Sequence, residues 1–233
     1  MKKIIFAGAL FLAFAFTGCN KDTEEINPER MKLIDRMENL DVPEPIKNSS
    51  NPNAQQVVEY VNSVKSVSGF FSWFDVPEDA RRENTKATSE VYTWSYEGTT
   101  VWETLTETAT AYKWLIEVNE GAGRKKLAEA EEMKDGSEGW MKIYDYQNDE
   151  ALIMTYYWTF DAAGNCVMTL EFTDGTLKYE SKINVDESGE VRYWMDEVLF
   201  YYFQWNTDGS GSYSMYDETG AEVMTESWSV DDL

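Results

Sequence analysis

The chain carries 43 Asp and Glu residues against 20 Lys and Arg, and it has no histidine. That composition decides most of the chemistry. Without an imidazole there is no Ser-His-Asp or Cys-His nucleophile. Without histidine, and with two cysteines in all, the usual zinc ligand sets are missing. No glycine-rich loop runs from a strand into a helix, so a phosphate cradle is absent. Carboxylate chemistry remains. Glycoside hydrolysis needs one acid on each side of the scissile bond. The best-placed acids are Glu103 and Glu107, which alternate with Val101 and Leu105 on an otherwise apolar face. The opposite face, Trp102, Thr104, Thr106 and Thr108, competes for the buried side, and if it wins those acids are solvated. Asn206, Asp208 and Ser210 resemble the start of an oxygen-ligand calcium loop, but no distal Glu follows in register. A turn is the better reading. The sequence therefore implies a noncatalytic chain without a metal or other cofactor.

The two cysteines behave differently. Cys166 alternates with Met168, Leu170 and Phe172, which suits a small buried residue. Cys19 closes the run Met1-Lys2-Lys3, Ile4 to Phe16, Thr17-Gly18. A basic start, an apolar stretch too short to span a bilayer and a small-residue end make a secretory signal. A cysteine directly after the small pair resembles the lipobox of bacterial lipoproteins. Phe16 stands where that family usually has Leu. The resemblance implies cleavage after residue 18 and acylation of Cys19 with palmitate-type chains. The acidic run after Lys21, interrupted by Thr23, resembles the surface-export signal of Bacteroidota lipoproteins. Together these imply an outer-membrane lipoprotein, facing the periplasm or the cell surface. Two acyl chains hold a protein on a membrane stably where one does not. A net charge of −23 argues against nucleic acid, whose binding draws on Lys and Arg.

The rest of the chain supplies a positioning scaffold. Asn27-Pro28 looks like a helix start, and Met31, Ile34, Met37 and Leu40 recur at helical spacing. Pro43, Pro45 and Pro52 then mark a linker. A second helix is expected from a cap at Asn53, through Val57, Tyr60, Val61, Val64 and Val67, to a closing Gly69. Phe70, Phe71, Trp73 and Phe74 follow as anchors. From Val91 onward the period becomes two, as in Leu152, Met154, Tyr156, Trp158 and Phe160. Turn sequences separate the runs. Asp161–Gly164, Asp186–Gly189 and Asp217–Gly220 suit a type I turn ending in a left-handed glycine, and Asp174-Gly175 suits a type I′ turn. The expected fold is mainly β: about ten antiparallel strands in a meander, curved into a half-barrel or barrel, with an N-terminal helix packed on it. The expected division is a signal over 1–18, an acidic tether with a short helix and Pro-rich linker over 19–52, and a helix plus antiparallel β domain over 53–233.

A weak repeat runs through the β region. Asp135-Gly136-Ser137-Glu138-Gly139 is echoed by Asp208-Gly209-Ser210-Gly211, and Trp158, Trp205 and Trp228 each have an Asp three residues on. A hairpin unit with Trp closing the core explains it, and a ligand motif is the other reading. Aromatic residues off the apolar faces, Tyr157 and Trp194, are candidates for contact with a partner. The strand Val198 to Trp205 is apolar on both sides, so a helix covers it or it lines a cavity. The helix-then-meander order resembles the lipoprotein carriers of the LolA/LolB type, whose curved sheet cups an acyl chain. That resemblance implies an amphipathic or hydrophobic ligand inside the sheet, near Tyr156, Tyr157, Trp158, Trp194, Phe203 and Trp205. The alternatives are a surface module for a glycan or protein and, last, a carboxylate glycoside hydrolase.

Overall fold

The computed structural model describes residues 31–83, 89–119, 121 and 123–232. The signal expected over 1–18, Cys19 with its expected lipidation, the tether up to residue 30 and the helix start expected at Asn27-Pro28 lie outside the described residues. Among those described, no helix is long and apolar enough to cross a membrane.

Thirteen strands form one antiparallel sheet in strict sequence order. They are β1 (Arg81–Arg82), β2 (Ser89–Tyr96), β3 (Thr99–Glu107), β4 (Ala111–Asn119), β5 (Lys125–Met133), β6 (Glu138–Asp145) and β7 (Ala151–Phe160). The second half comprises β8 (Cys166–Phe172), β9 (Leu177–Ile183), β10 (Gly189–Met195), β11 (Val198–Trp205), β12 (Gly211–Tyr216) and β13 (Glu222–Trp228). β1 and β13 are the two edges, so the sheet is open and curved rather than closed. The strands outnumber the ten or so expected, and β1 lies ahead of the alternation that begins at Val91.

Hairpin turns fix this topology, since neighbours in sequence joined by a few residues must pair. Gly164 and Gly220 take φ of 93° and 79° at the turn ends foreseen for them. Two turns differ from expectation. Gly175 alone has positive φ in its turn, at 73°, and its N–H reaches Phe172 O at 3.0 Å. That is a type I turn with a left-handed glycine, not type I′, which needs positive φ at both central residues. In the Asp186 turn the left-handed residue is Glu187, at φ 66°, and Gly189 instead opens β10.

One face of the sheet is covered. The cover is α1 (Lys32–Glu38), α2 (Glu44–Lys47), α3 (Pro52–Ser66) and a 3-10 helix over Val67–Phe74. The main helix is thus internal, and it is one of several. Its cap is Asn51, whose Oδ1 accepts from Asn53 N at 2.9 Å and Ala54 N at 3.3 Å. Pro52 fills the first helical position, where a missing N–H costs nothing. Gly69 does not end the helix, because the chain tightens there into the 3-10 segment. Each valine of α3 costs roughly 0.5 kcal/mol in helix propensity. Burial of Val57, Val61 and Val64 offsets this at roughly 1.5 kcal/mol or more per side chain, so packing holds α3.

Residues 31–52 belong to this core rather than to a tether. Met31, Leu33, Met37, Leu40, Val42 and Ile46 are all buried. The Gln55 amide donates to Ile46 O, Lys47 O and Ser49 O at 3.1, 3.2 and 2.8 Å, and Lys65 Nζ donates to Leu40 O at 2.6 Å. The prolines that suggested a linker stand at helix starts instead: Pro43 is the cap of α2, Pro45 lies in its first turn and Pro52 opens α3. Opposite α1, the Glu132 carboxylate accepts from Lys32 N at 2.8 Å and Leu33 N at 2.9 Å. A sheet carboxylate thereby caps a helix start that has no side-chain cap of its own, in the position the helix dipole favours.

Candidate functional site

The curve of the sheet is filled by its own helices. Phe71 lies 5.9 Å from Tyr156 and 5.6 Å from Trp158 between ring centroids, and Phe74 lies 6.5 Å from Trp114. Tyr60 of α3 lies 5.2 Å from Phe203. Tyr156, Trp158, Phe203 and Trp205 are all essentially unexposed. Four of the six residues expected to touch a ligand are therefore core residues. Helix coverage accounts for the inward face of β11, where Phe203 and Trp205 are buried, while on the other face Tyr202 donates to Glu190 at 2.8 Å. Beside α3, Tyr179, Tyr193, Tyr201 and Tyr213 continue as a row of rings at centroid spacings of 4.7, 5.7 and 5.9 Å. Burial and neighbouring tyrosines push Tyr60 and Tyr193 up to about 12.

The other two expected residues reach the convex face. Tyr157 is 45% exposed and pairs across strands with Trp140. Trp194 is half-buried beneath Lys178, whose ammonium sits 5.0 Å from the ring. The pattern repeats on this face. Arg124 covers Trp102, Lys126 covers Tyr144, Lys142 covers Trp140 and Arg192 covers Tyr202, at 4.2 to 5.3 Å. Most of these cations are also paired with acids, as in Arg192 with Glu180 at 2.8 Å and Glu190 at 3.0 Å.

A more distinctive arrangement lies where β9–β13 turn. Asn184-Val185-Asp186-Glu187-Ser188-Gly189 and Asn206-Thr207-Asp208-Gly209-Ser210-Gly211 share an Asn-x-Asp-x-Ser-Gly pattern. Each Asn Nδ2 donates to the Ser Oγ, at 2.9 and 3.0 Å. Each Asp Oδ1 accepts the Ser N–H, at 3.1 and 2.9 Å. Each final glycine pairs across strands with a tryptophan, Gly189 with Trp205 and Gly211 with Trp228. The indole lies over the glycine: a Cβ on Gly189 would fall 2.5 Å from Trp205 Cζ2, and one on Gly211 would overlap Trp228. The indole N–H then donates to the residue two before the glycine, Trp205 to Glu187 O and Trp228 to Gly209 O, both at 2.7 Å. Gly139 and Trp158 make the same ring-over-glycine contact, although the Trp158 N–H has no partner. The repeat seen in the sequence is this unit, with Trp closing the core and Asp opening the turn.

The two complete units leave two shallow clefts side by side. One, of about 280 Å³, is lined by Gln204, Asn206, Ser210, Gly211, Ser212 and Trp228. The other, of about 150 Å³, adds Lys182, Asn184, Ser188, Gly189 and Glu190 and shares Gln204 and Asn206. Their walls are amides and hydroxyls with one ammonium and one carboxylate. Sequence reasoning missed Gln204, Lys182, Glu190 and Ser212. The doubled Asn-x-Asp-x-Ser-Gly pattern was the signal that could have found them.

The acids proposed for chemistry separate. Glu107 is exposed and pairs with Lys134 at 2.5 Å. Glu103 is completely buried, on the face with Val101 and Leu105, so that face won the core. Neither Glu103 oxygen has a hydrogen-bond partner, and burial, with the nearby charge of Asp75, raises its pKa well above the ordinary 4.5. Glu132 is also raised by burial, with Lys32 N, Leu33 N, Lys32 and Arg36 pulling it back. Burial pushes the Cys166 thiol up to about 12. Asn206 Nδ2, Asp208 Oδ1 and the Ser210 hydroxyl and N–H bond to one another. Among the described residues, no group of three or more His, Cys, Asp or Glu side chains is placed to hold a metal. Compared with known proteins, the chain matches no family model, and no curated protein matches it.

Proposed function

We propose that the chain is a noncatalytic lipoprotein, anchored at the outer membrane through acylated Cys19, that binds a neutral oligosaccharide at the paired clefts of β9–β13. The observation that carries this reading is the doubled cleft itself. The two units recur every second strand, a spacing of about 10 Å at the strand separation of a sheet, which is the length of a disaccharide in an extended chain. Amide, hydroxyl and balanced charged groups suit a polyhydroxylated ligand better than an acidic one. The filled interior supports a surface site over an internal one, because an apolar ligand in the curve of the sheet would have to displace Phe71 and Phe74. A soluble exterior with net charge −23 also disfavours polyanions.

The test is titration of the full-length, detergent-solubilised protein with neutral oligosaccharides of increasing length, read by calorimetry. Affinity should rise up to the length that spans both clefts and then level off. Gln204→Ala, at the shared wall, should weaken binding about tenfold, the loss expected for one or two neutral hydrogen bonds. Tyr157→Ala and Trp194→Ala should leave it unchanged. Binding that survives Gln204→Ala and is lost in Trp194→Ala would move the site to the aromatic convex face. Absence of binding to every oligosaccharide would end the glycan reading.

A further inference from the structure

Glu103 is a buried acid that no binding role above uses. It sits between Val101 and Leu105 along β3 and pairs across strands with Tyr92 of β2 and Ile116 of β4. Both oxygens lack a partner. The groups that face it offer no compensation. From the helical cover comes Asp75, which follows Phe74 and acts on Glu103 as a like charge. From β2 comes the Tyr92 phenol, already donating to Glu90 at 2.6 Å, and Glu90 is itself paired with Arg82 of β1. From β4 comes Ile116, which does not titrate. An unpaired carboxylate in such a place is strongly disfavoured, and burial favours the neutral acid.

We propose that Glu103 is a proton-operated catch: protonated, it lets the 3-10 helix seat on the sheet, and deprotonated, it releases that segment and uncovers the aromatic face of β4–β7. The direction of release follows from which neighbour yields first. β3 is laddered to β2 on one side and β4 on the other along its whole length. The 3-10 segment has poorer hydrogen-bond geometry than an α-helix, and eight residues is long for one. Its hold on the sheet is chiefly Phe71 and Phe74. Moving Phe74 and Asp75 outward admits water to the new charge and separates two acids, whereas opening β3 breaks a sheet. What is uncovered is Trp114, Tyr156 and Trp158, an apolar surface suited to a hydrocarbon chain.

Amide hydrogen exchange on the full-length protein, followed from about pH 5 to pH 10 and expressed as protection relative to the unstructured chain, tests this. In the wild type, protection of 67–75 should fall severalfold with rising pH while β5–β8 stay protected. Glu103→Gln and Glu103→Leu should hold 67–75 protected throughout. Asp75→Asn, which removes the like charge, should shrink the alkaline loss of protection at 67–75, and an unchanged or larger loss overturns the catch. A flat wild-type profile, or loss of protection that both Glu103 variants share, also overturns it. Should Glu103→Gln not fold, Glu103→Leu and Asp75→Asn carry the test.

Discussion

Two buried glutamates on the same face of one sheet show opposite solutions to one problem. Glu132, on β5, gives its two oxygens to the first amides of α1. Glu103, on β3, gives its oxygens to nothing and is influenced by the charge of Asp75, which follows the 3-10 helix. Burial raises both pKa values, but at Glu132 two backbone amides and two cations oppose the rise, and at Glu103 the only other influence is an acid. At one end of the helical cover, then, the carboxylate ties helix to sheet. At the other it is tolerated by keeping its proton. The lesson is that burial of an acid says little until its partners are counted.

The contrast is sharpest in the cost of removing each side chain. Glu132→Leu should destabilise the fold by about 3 kcal/mol, since two amides of α1 lose a charged acceptor in a buried place. Urea denaturation at neutral pH measures it. Glu103→Leu should be neutral or stabilising by about 1 kcal/mol, because an unpaired polar group gives way to an apolar one. A large loss at Glu103 and none at Glu132 would invert the comparison.

pH separates them next. Glu103 has a folded pKa above its unfolded one, so its contribution is fully present below about 4.5, the ordinary value. It is lost as pH rises through the raised folded value. Wild-type stability should therefore decline toward alkaline pH, and the decline should be smaller in Glu103→Leu, as read from denaturation midpoints across the range. The smallest effect concerns what else holds α1. Arg36 donates to Asp135 O at 2.8 Å and lies 4.7 Å over Phe160. Arg36→Ala should cost about 0.5–1 kcal/mol, well below Glu132→Leu. Equal losses would mean that Glu132 is not the main tie.

Much of the fold was legible because its signals are local. Alternation from Val91 onward and Asp-Gly turns specify an antiparallel meander without any long-range knowledge, and the face Met154, Tyr156, Trp158, Phe160 came out buried as the period requires. The missed features depend on register or on distant partners. Which face of β3 was buried could not be decided from a strand with Val101 and Leu105 on one side and Trp102 on the other. Glu132 reads as an ordinary strand acid until α1 is brought to it from 100 positions away. Gly189 and Gly211 read as turn glycines, yet their role is to admit Trp205 and Trp228 from the next strand. The six aromatics named for ligand contact were chosen by residue type, and type alone does not distinguish a core ring from a surface ring. The clefts were hidden because their polar walls are side chains that any solvated rim would carry.

The strictly sequential meander has a consequence for how the molecule assembles. Each strand needs only the one synthesised just before it, so the sheet can grow like a zipper from its first hairpin. The helices precede the sheet in synthesis, and each waits for its own strand: Phe74 for Trp114 on β4, Lys32 for Glu132 on β5 and Tyr60 for Phe203 on β11. The helical cover, made ahead of the sheet, is thus locked only as the sheet grows beneath it.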